Sequence, residues 1–371
     1  MKIIDKYILN EVKMPIIFGV SLFTFIFLIE IIVTMMESII VKGISIFEVV
    51  RMLTFYLPPI MSQTIPMGLF LGVMITFAKF TRNSEATAMI ASGMDLKNIM
   101  RPILILTIAV TFFIFFLQES IIPRSIQKLQ FFVARLAYEN PVFQLTERTF
   151  IDEMDDYNIY IDKIDTKTGI ANGVLVFQKD KKNKFPTILI GKEAFWENSN
   201  MVITRSNFYD YDDTGKETLK GEFESKSVPL NAYVDGISIK VDDIEAMSIR
   251  MILNEIRASG EKEKDLIDKK EIRDARKLKR SYIVEINRKI AVPLSTIMLG
   301  LLGIFLSIGH QRSGKGANFA LSICIVFAYI TILNIGMVMA NNGTIPVFVG
   351  VWTPNIILLL ITIHFYKKKA R

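Results

Sequence analysis

Gly309-His310-Gln311-Arg312-Ser313-Gly314-Lys315 fills the first seven places of a phosphate-binding loop. In such a loop backbone N–H groups cradle phosphates, the lysine reaches the outer ones, and a following Ser or Thr holds magnesium. Gly316 stands in that last place, so the hydroxyl is missing. The segment also follows an apolar run and not a strand, and a flexible basic loop explains it better. Histidine is scarce: only His310 and His364 occur, too few for the common zinc sets. The single cysteine, Cys324, lies in an apolar run and leaves no intrachain disulfide to form. Asp152, Asp155 and Asp156 offer carboxylates for acid–base work, but no histidine accompanies them, and an acidic turn is the simpler reading. No nucleophile–base pair stands out. The chain reads as a non-enzyme without a cofactor, and any work it does draws on a partner or an ion gradient.

Three other groups of residues carry more information. Thr81–Gly93 predicts a short helix: Ser84 can cap it, Glu85 suits its first turn, and Gly93 can close it in the left-handed conformation. Glu85, Met89 and Ser92 then share a side. A short helix with an acid and a methionine is a surface that a membrane protein can offer to a cytoplasmic motor; an ordinary connecting helix explains the same residues. Glu30 lies inside an apolar run, where a carboxylate costs ~2.5–3.5 kcal/mol and should face protein or water. Lys42, Arg124, Lys128, Arg288 and Lys289 flank apolar runs on one side; they suit the phosphates of an anionic lipid, or simply anchor helix ends.

The elements that must position these groups are six apolar runs in a three-plus-three arrangement. They lie near Pro15–Met36, Leu53–Ala78, Pro102–Ile122, Ile290–Ile308, Ala317–Ala340 and Pro346–Tyr366. Each has roughly the 20 residues that cross a bilayer, and the chain is 51% hydrophobic. The net charge of +7 is uneven. Lys2, Lys6 and Lys13, then Lys79, Arg82, Lys97 and Arg101, then Arg312 and Lys315, then Lys367–Lys369 and Arg371 fall on one side of six spans. That side is cytoplasmic, so both termini are expected there. The same placement accounts for the basic charge without nucleic acid. Lys2–Lys13 is amphipathic and predicts an interfacial segment that turns into the membrane at Pro15. Pro58, Pro59 and Pro66 predict a kink or break in the second span. Between the two sets of spans, Thr149–Asp152, Asn158–Ile164, Val174–Gln178, Thr187–Ile190, Met201–Phe208 and Glu217–Val228 are short, β-branched or aromatic, and separated by turn-like clusters, which predicts an antiparallel β domain. Asn254–Arg280 mixes both charges and predicts a solvated helix leading to the fourth span.

The chain resembles the lipopolysaccharide-export permease family, the paired LptF and LptG subunits. The resemblance rests on Asp5-Lys6-Tyr7-Ile8, Pro66–Gly72, Ser84-Glu85 through Ala91-Ser92-Gly93, Asn287–Leu294 and Trp352-Thr353-Pro354-Asn355, in order around the β insert. It looks more like the F type. It implies an α-helical polytopic inner-membrane protein of six helices with an inserted jelly-roll domain in the periplasm. The implied divisions are 1–123 for the first three spans, 124–252 for the β domain, 253–286 for a charged connector and 287–371 for the last three spans. The implied partners are a second permease, a cytoplasmic ABC ATPase dimer that hydrolyses the ATP, periplasmic jelly-roll bridge proteins and lipopolysaccharide. Glu85, Met89 and Gly93 would couple to the ATPase. Glu30, Lys42, Phe70, Arg124 and Arg288 would meet the lipid. Some family members carry basic residues in the outer part of the first span, where this chain has Glu30, which moves the phosphate contact toward Lys42, Arg124 and Arg288. A permease for another lipid or a lipoprotein, and a membrane-anchored scaffold or sensor, are the alternatives.

Overall fold

The computed structural model describes residues 3–40, 45–139, 148, 150–151, 157–165, 170–178, 185–197, 200–212, 215–229, 244–262, 269–308 and 315–369. Lys42, the acidic cluster Asp152–Asp156 and the loop 309–314 lie outside them. The helices are α1 (Ile3–Ile40), α2 (Ile46–Arg82), α3 (Glu85–Ala91), α4 (Leu96–Phe116), α5 (Ile122–Glu139), α6 (Ile249–Lys262), α7 (Lys269–Ser307), α8 (Lys315–Asn341) and α9 (Val347–Lys369). A π-helical turn, Leu117–Ile121, joins α4 to α5. Among the described residues six helical stretches are long and apolar enough to cross a membrane.

Contacts divide the chain into two units, Met1–Ile31 with Leu53–Ile126 and Asp243–Arg371, and Ile32–Met52 with Gln127–Asp242. The first is helical. Its α1 and α2 touch backbone to backbone, because a Cβ on Gly19 would lie 2.6 Å from the Gly68 carbonyl oxygen and one on Gly72 would strike the Ile16 backbone. Gly336 and Gly350 do the same for α8 and α9. Small residues allow this approach, which lipid-immersed helices use because apolar burial alone does not favour one neighbour over another. Two segments picked out separately in the sequence meet here. Trp352 Nε1 donates to Asn287 Oδ1 at 3.0 Å, and Asn355 Nδ2 donates to the Ala291 carbonyl at 2.8 Å. Thr111 Oγ1 reaches the Pro293 carbonyl at 3.2 Å, and Ser307 Oγ reaches the Met74 carbonyl at 3.0 Å. Such polar groups have no water to turn to in hydrocarbon, so they pair across helices.

The prolines break neither helix. α1 is one continuous helix with Pro15 inside it, and α2 continues through Pro58, Pro59 and Pro66. The interfacial turn at Pro15 and a broken second span are therefore not found. Each proline costs one backbone hydrogen bond, and the close packing of α1 on α2 holds the helices together despite it.

The second unit carries a six-stranded antiparallel sheet in sequential order: β1 (Phe150–Ile151), β2 (Tyr157–Asp165), β3 (Ile170–Gln178), β4 (Thr187–Glu197), β5 (Asn200–Tyr211) and β6 (Glu217–Pro229). Each predicted strand segment falls on one of these. Register lines up one apolar face: Ile159 opposes Val176, which opposes Leu189, which opposes Phe208, while Ala171, Ala194 and Ile203 form a second row. The period of two puts these side chains on one side and Lys163, Asn172 and Glu193, which are in register with one another, on the other. Gly191 sits where a Cβ would collide with Ile203, so its absence admits the larger neighbour to that core.

Candidate functional site

Two cavities in the helical unit share Arg288. The first, ≈ 120 Å³, is lined by Phe27 from α1, Gln63 and Met67 from α2, Arg288 and Ser295 from α7, and Tyr329 from α8. The second, ≈ 280 Å³, is lined by Phe27 and Glu30 from α1, Gln63, Gln118 in the π-helical turn, Glu245, and Arg288 with Lys289. Phe27, Gln63 and Arg288 belong to both linings. The walls are apolar with a few polar groups, as expected of a site for an amphiphile.

Arg288 is held firmly. Its Nε and Nη2 donate to the two oxygens of Glu285, each at 2.7 Å, and Nη2 lies 3.8 Å from the Glu245 carboxylate. Lys289, with only 2% of its side chain exposed, lies 3.4 Å from Glu285 and donates to the Glu245 carbonyl at 2.9 Å. The spacing of 285, 288 and 289 puts all three on one turn-length of α7. Two cations share the buried Glu285 carboxylate, and with Glu245 and Glu30 on the same wall the cavity presents charge of both signs. The segment that carries Glu245 is fastened again just beyond: the Ile249 N–H donates to Glu119 Oε2 at 3.0 Å, and Ser248 Oγ accepts from Met251 N at 3.2 Å to cap α6.

At the other end of the bundle α3 is clamped to α1. The Tyr7 hydroxyl donates to Glu85 Oε2 at 2.8 Å, Asn83 Nδ2 donates to Glu85 Oε1 at 2.9 Å, and Lys79 pairs with Glu11 at 2.6 Å. Tyr7 also stacks on Phe80 with centroids 5.6 Å apart. Ser84 does not cap the helix as its position suggests. It takes a left-handed conformation, φ 59°, and its side chain makes no cap bond; the Asn83 and Tyr7 bonds to Glu85 hold the turn instead. Gly93 closes the loop at φ +82° with nothing near a Cβ, so backbone conformation alone asks for glycine there. Met89 packs half-buried on the core of Phe77, Phe80 and Ile99, while Ile90 stands out at 47% exposure.

A family model, described as lipopolysaccharide export system permease LptF/LptG, matches residues 6–368. The chain belongs to the LptF/LptG family. This permease is therefore a multi-pass inner-membrane transport subunit for lipopolysaccharide and not an enzyme. No curated protein matches the chain.

The geometry sorts the residues expected to meet lipid in this family member. Glu30 and Arg288 line a cavity together. Phe70 does not: it is fully buried and packs over Gly303 in the helix core, so it supports the wall from behind. Arg124 is exposed on α5 and lines neither cavity. Tyr7, Glu11, Glu245 and Glu285 were missed in the sequence. Glu285 alone left a signal, its i, i+3 and i+4 spacing to two cations.

Proposed function

We propose that this permease is one of two such subunits in an ATP-driven exporter that lifts lipopolysaccharide from the inner membrane and passes it to a periplasmic bridge of β domains. The observation that carries the reading is the Tyr7–Glu85 bond. It joins α3, on the connection between the second and third spans, to α1, and α1 supplies Phe27 to both cavities. A stretch of about 20 helical residues is ~30 Å of stiff rod, so force applied at α3 reaches the cavity wall. Drawing several acyl chains from a bilayer costs ~0.8 kcal/mol per CH₂, which demands an energy source. The phosphate-loop look-alike lacks its hydroxyl residue, and the ATPase is assigned to a cytoplasmic partner dimer that docks on α3. The short-loop cations support a topology with α3 and both termini in the cytoplasm and the sheet in the periplasm. Arg288, with Glu30 at the same cavity and Lys42 and Arg124 nearby in sequence to span ends, is the proposed contact for lipid phosphates. The apolar face of the sheet is assigned to the acyl chains, and the subunit is assigned to the F type.

The test uses the permease co-purified with its ATPase. Glu85→Arg is expected to abolish co-purification, while Tyr7→Phe keeps the ATPase bound and hydrolysing but lowers ATP-linked lipid release. Retained ATPase binding and retained release in Glu85→Arg would sink the α3 assignment. A photo-crosslinker at Phe208, at the half-buried edge of the sheet's apolar face, is expected to capture lipopolysaccharide only during ATP turnover; capture of protein alone favours a scaffold.

A further inference from the structure

The charged start of α7 forms a cleft that the transport reading does not use. Arg273, Arg276, Lys277 and Arg280 are exposed and recur at three- and four-residue spacing, which puts them on one face of the helix. They line a cleft of ≈ 700 Å³ whose opposite wall is Asn341 and Asn342, at the end of α8. Among the described residues Asp274 is the one carboxylate in that lining. Gly343, at φ +79°, lies under the Arg280 guanidinium, and a Cβ there would overlap it. Glycine thus lets the guanidinium rest over the turn. Asn341 Oδ1 is buried and finds no hydrogen-bond partner among the described residues.

The depth of the cleft points to its ligand. α8 ends at Asn341 and α9 begins at Val347, so the cleft sits where two spans leave the hydrocarbon. Trp352, which stacks on Phe348 at 5.6 Å, marks the same boundary in the way interfacial aromatics do. Cations at that level meet headgroup phosphates. Down α7 the basic face continues into Asn287 and Ala291, which pack on α9. The cavity-lining Val292, Ser295 and Leu299 lie roughly a quarter-turn away. The cleft therefore opens on a different side of α7 from the cavity wall.

We propose that this cleft binds the phosphate of an anionic phospholipid headgroup from the surrounding bilayer. The full-length permease in detergent is titrated with phosphatidylglycerol, phosphatidylcholine and lipopolysaccharide, and bound lipid is read by native mass spectrometry. The variant R273Q/R276Q/K277Q/R280Q is expected to weaken phosphatidylglycerol binding at least tenfold. Gly343→Ala, which displaces one guanidinium, weakens it two- to fivefold. Asp274→Asn tightens it, a change that misfolding does not produce. Phosphatidylcholine binds weakly throughout. Unchanged phosphatidylglycerol binding in the fourfold variant overturns the proposal, as does equal affinity for phosphatidylcholine. Loss of lipopolysaccharide binding with phosphatidylglycerol unaffected also overturns it and gives the cleft to the transported lipid.

Discussion

Glu285→Gln is the sharpest test of how the cavity wall is held. The substitution keeps the side chain's volume and removes its charge. Glu285 is 7% exposed, and its carboxylate takes both short Arg288 bonds as well as the nearby Lys289 ammonium. Without it two buried cations are left on one turn of α7, with the Glu245 carbonyl as the remaining close acceptor for Lys289. Breaking a buried pair from one side typically costs about 3–5 kcal/mol. The adjoining cavity of ≈ 280 Å³ gives water a route to Arg288, which argues for the low end of that range. Glu245→Gln provides the contrast, since its carboxylate is 71% exposed and 3.8 Å from Arg288. A solvated pair of that kind contributes about 0–1 kcal/mol, and the substitution leaves the Glu245 carbonyl in place. Unfolding in a denaturing-detergent titration, followed by tryptophan emission, reads both. One of the two tryptophans, Trp352, is bonded to Asn287 beside the cluster, so the signal reports this contact directly. A loss under about 1 kcal/mol for Glu285→Gln, or one no larger than for Glu245→Gln, refutes the reasoning. Replacing Glu285, Arg288 and Lys289 together by Leu, Met and Met is expected to recover most of the stability, because no charge is then left unpaired.

Further perturbations follow from the same structure. Gly68→Val puts a branched side chain into the α1 backbone and is expected to cost about 1–3 kcal/mol of unfolding free energy, with Gly72→Val close behind. Asn287→Leu removes the acceptor of the Trp352 indole and is expected to cost about 1 kcal/mol and to shift tryptophan emission. Gly93→Ala forces a Cβ into a left-handed position at about 1–2 kcal/mol of local strain; protease cleavage near 91–95 should accelerate while global unfolding stays put. Gly191→Val is expected to push Ile203 out of the sheet core and to lower the melting of the isolated β signal in circular dichroism more than that of the helices.

The six spans and the six strands were legible because each rests on a local pattern. A bilayer imposes length and apolarity on every span, and a half-buried sheet imposes a period of two, as in Asn158–Asp162. Ser84 and Pro15 show where local pattern misleads. Ser84 has the residue type of a cap, but Glu85 is held from outside by Tyr7, and that contact decides the turn. Pro15 has the residue type of a break, but α1 packs against Gly68 and Gly72 and stays helical. Phe70 is buried against Gly303, a contact the sequence does not announce, since a span's sequence does not say which face meets a neighbour.

The sequence by itself determined that this chain crosses a membrane, carries an antiparallel β insert, and belongs with the LptF and LptG permeases. The first two conclusions depend on composition and periodicity along the chain, and the third on a resemblance carried by motifs such as Pro66–Gly72 and Asn287–Leu294. Only the tertiary structure decided that Glu285 and Glu245 gather Arg288 and Lys289 at the cavity, that Tyr7 grips α3, and that Asn287 answers Trp352. These partners are tens to more than seventy residues apart, or are chosen among many similar charges. Their pairing follows from which helix faces pack together, a property of the whole bundle that no short stretch of sequence contains.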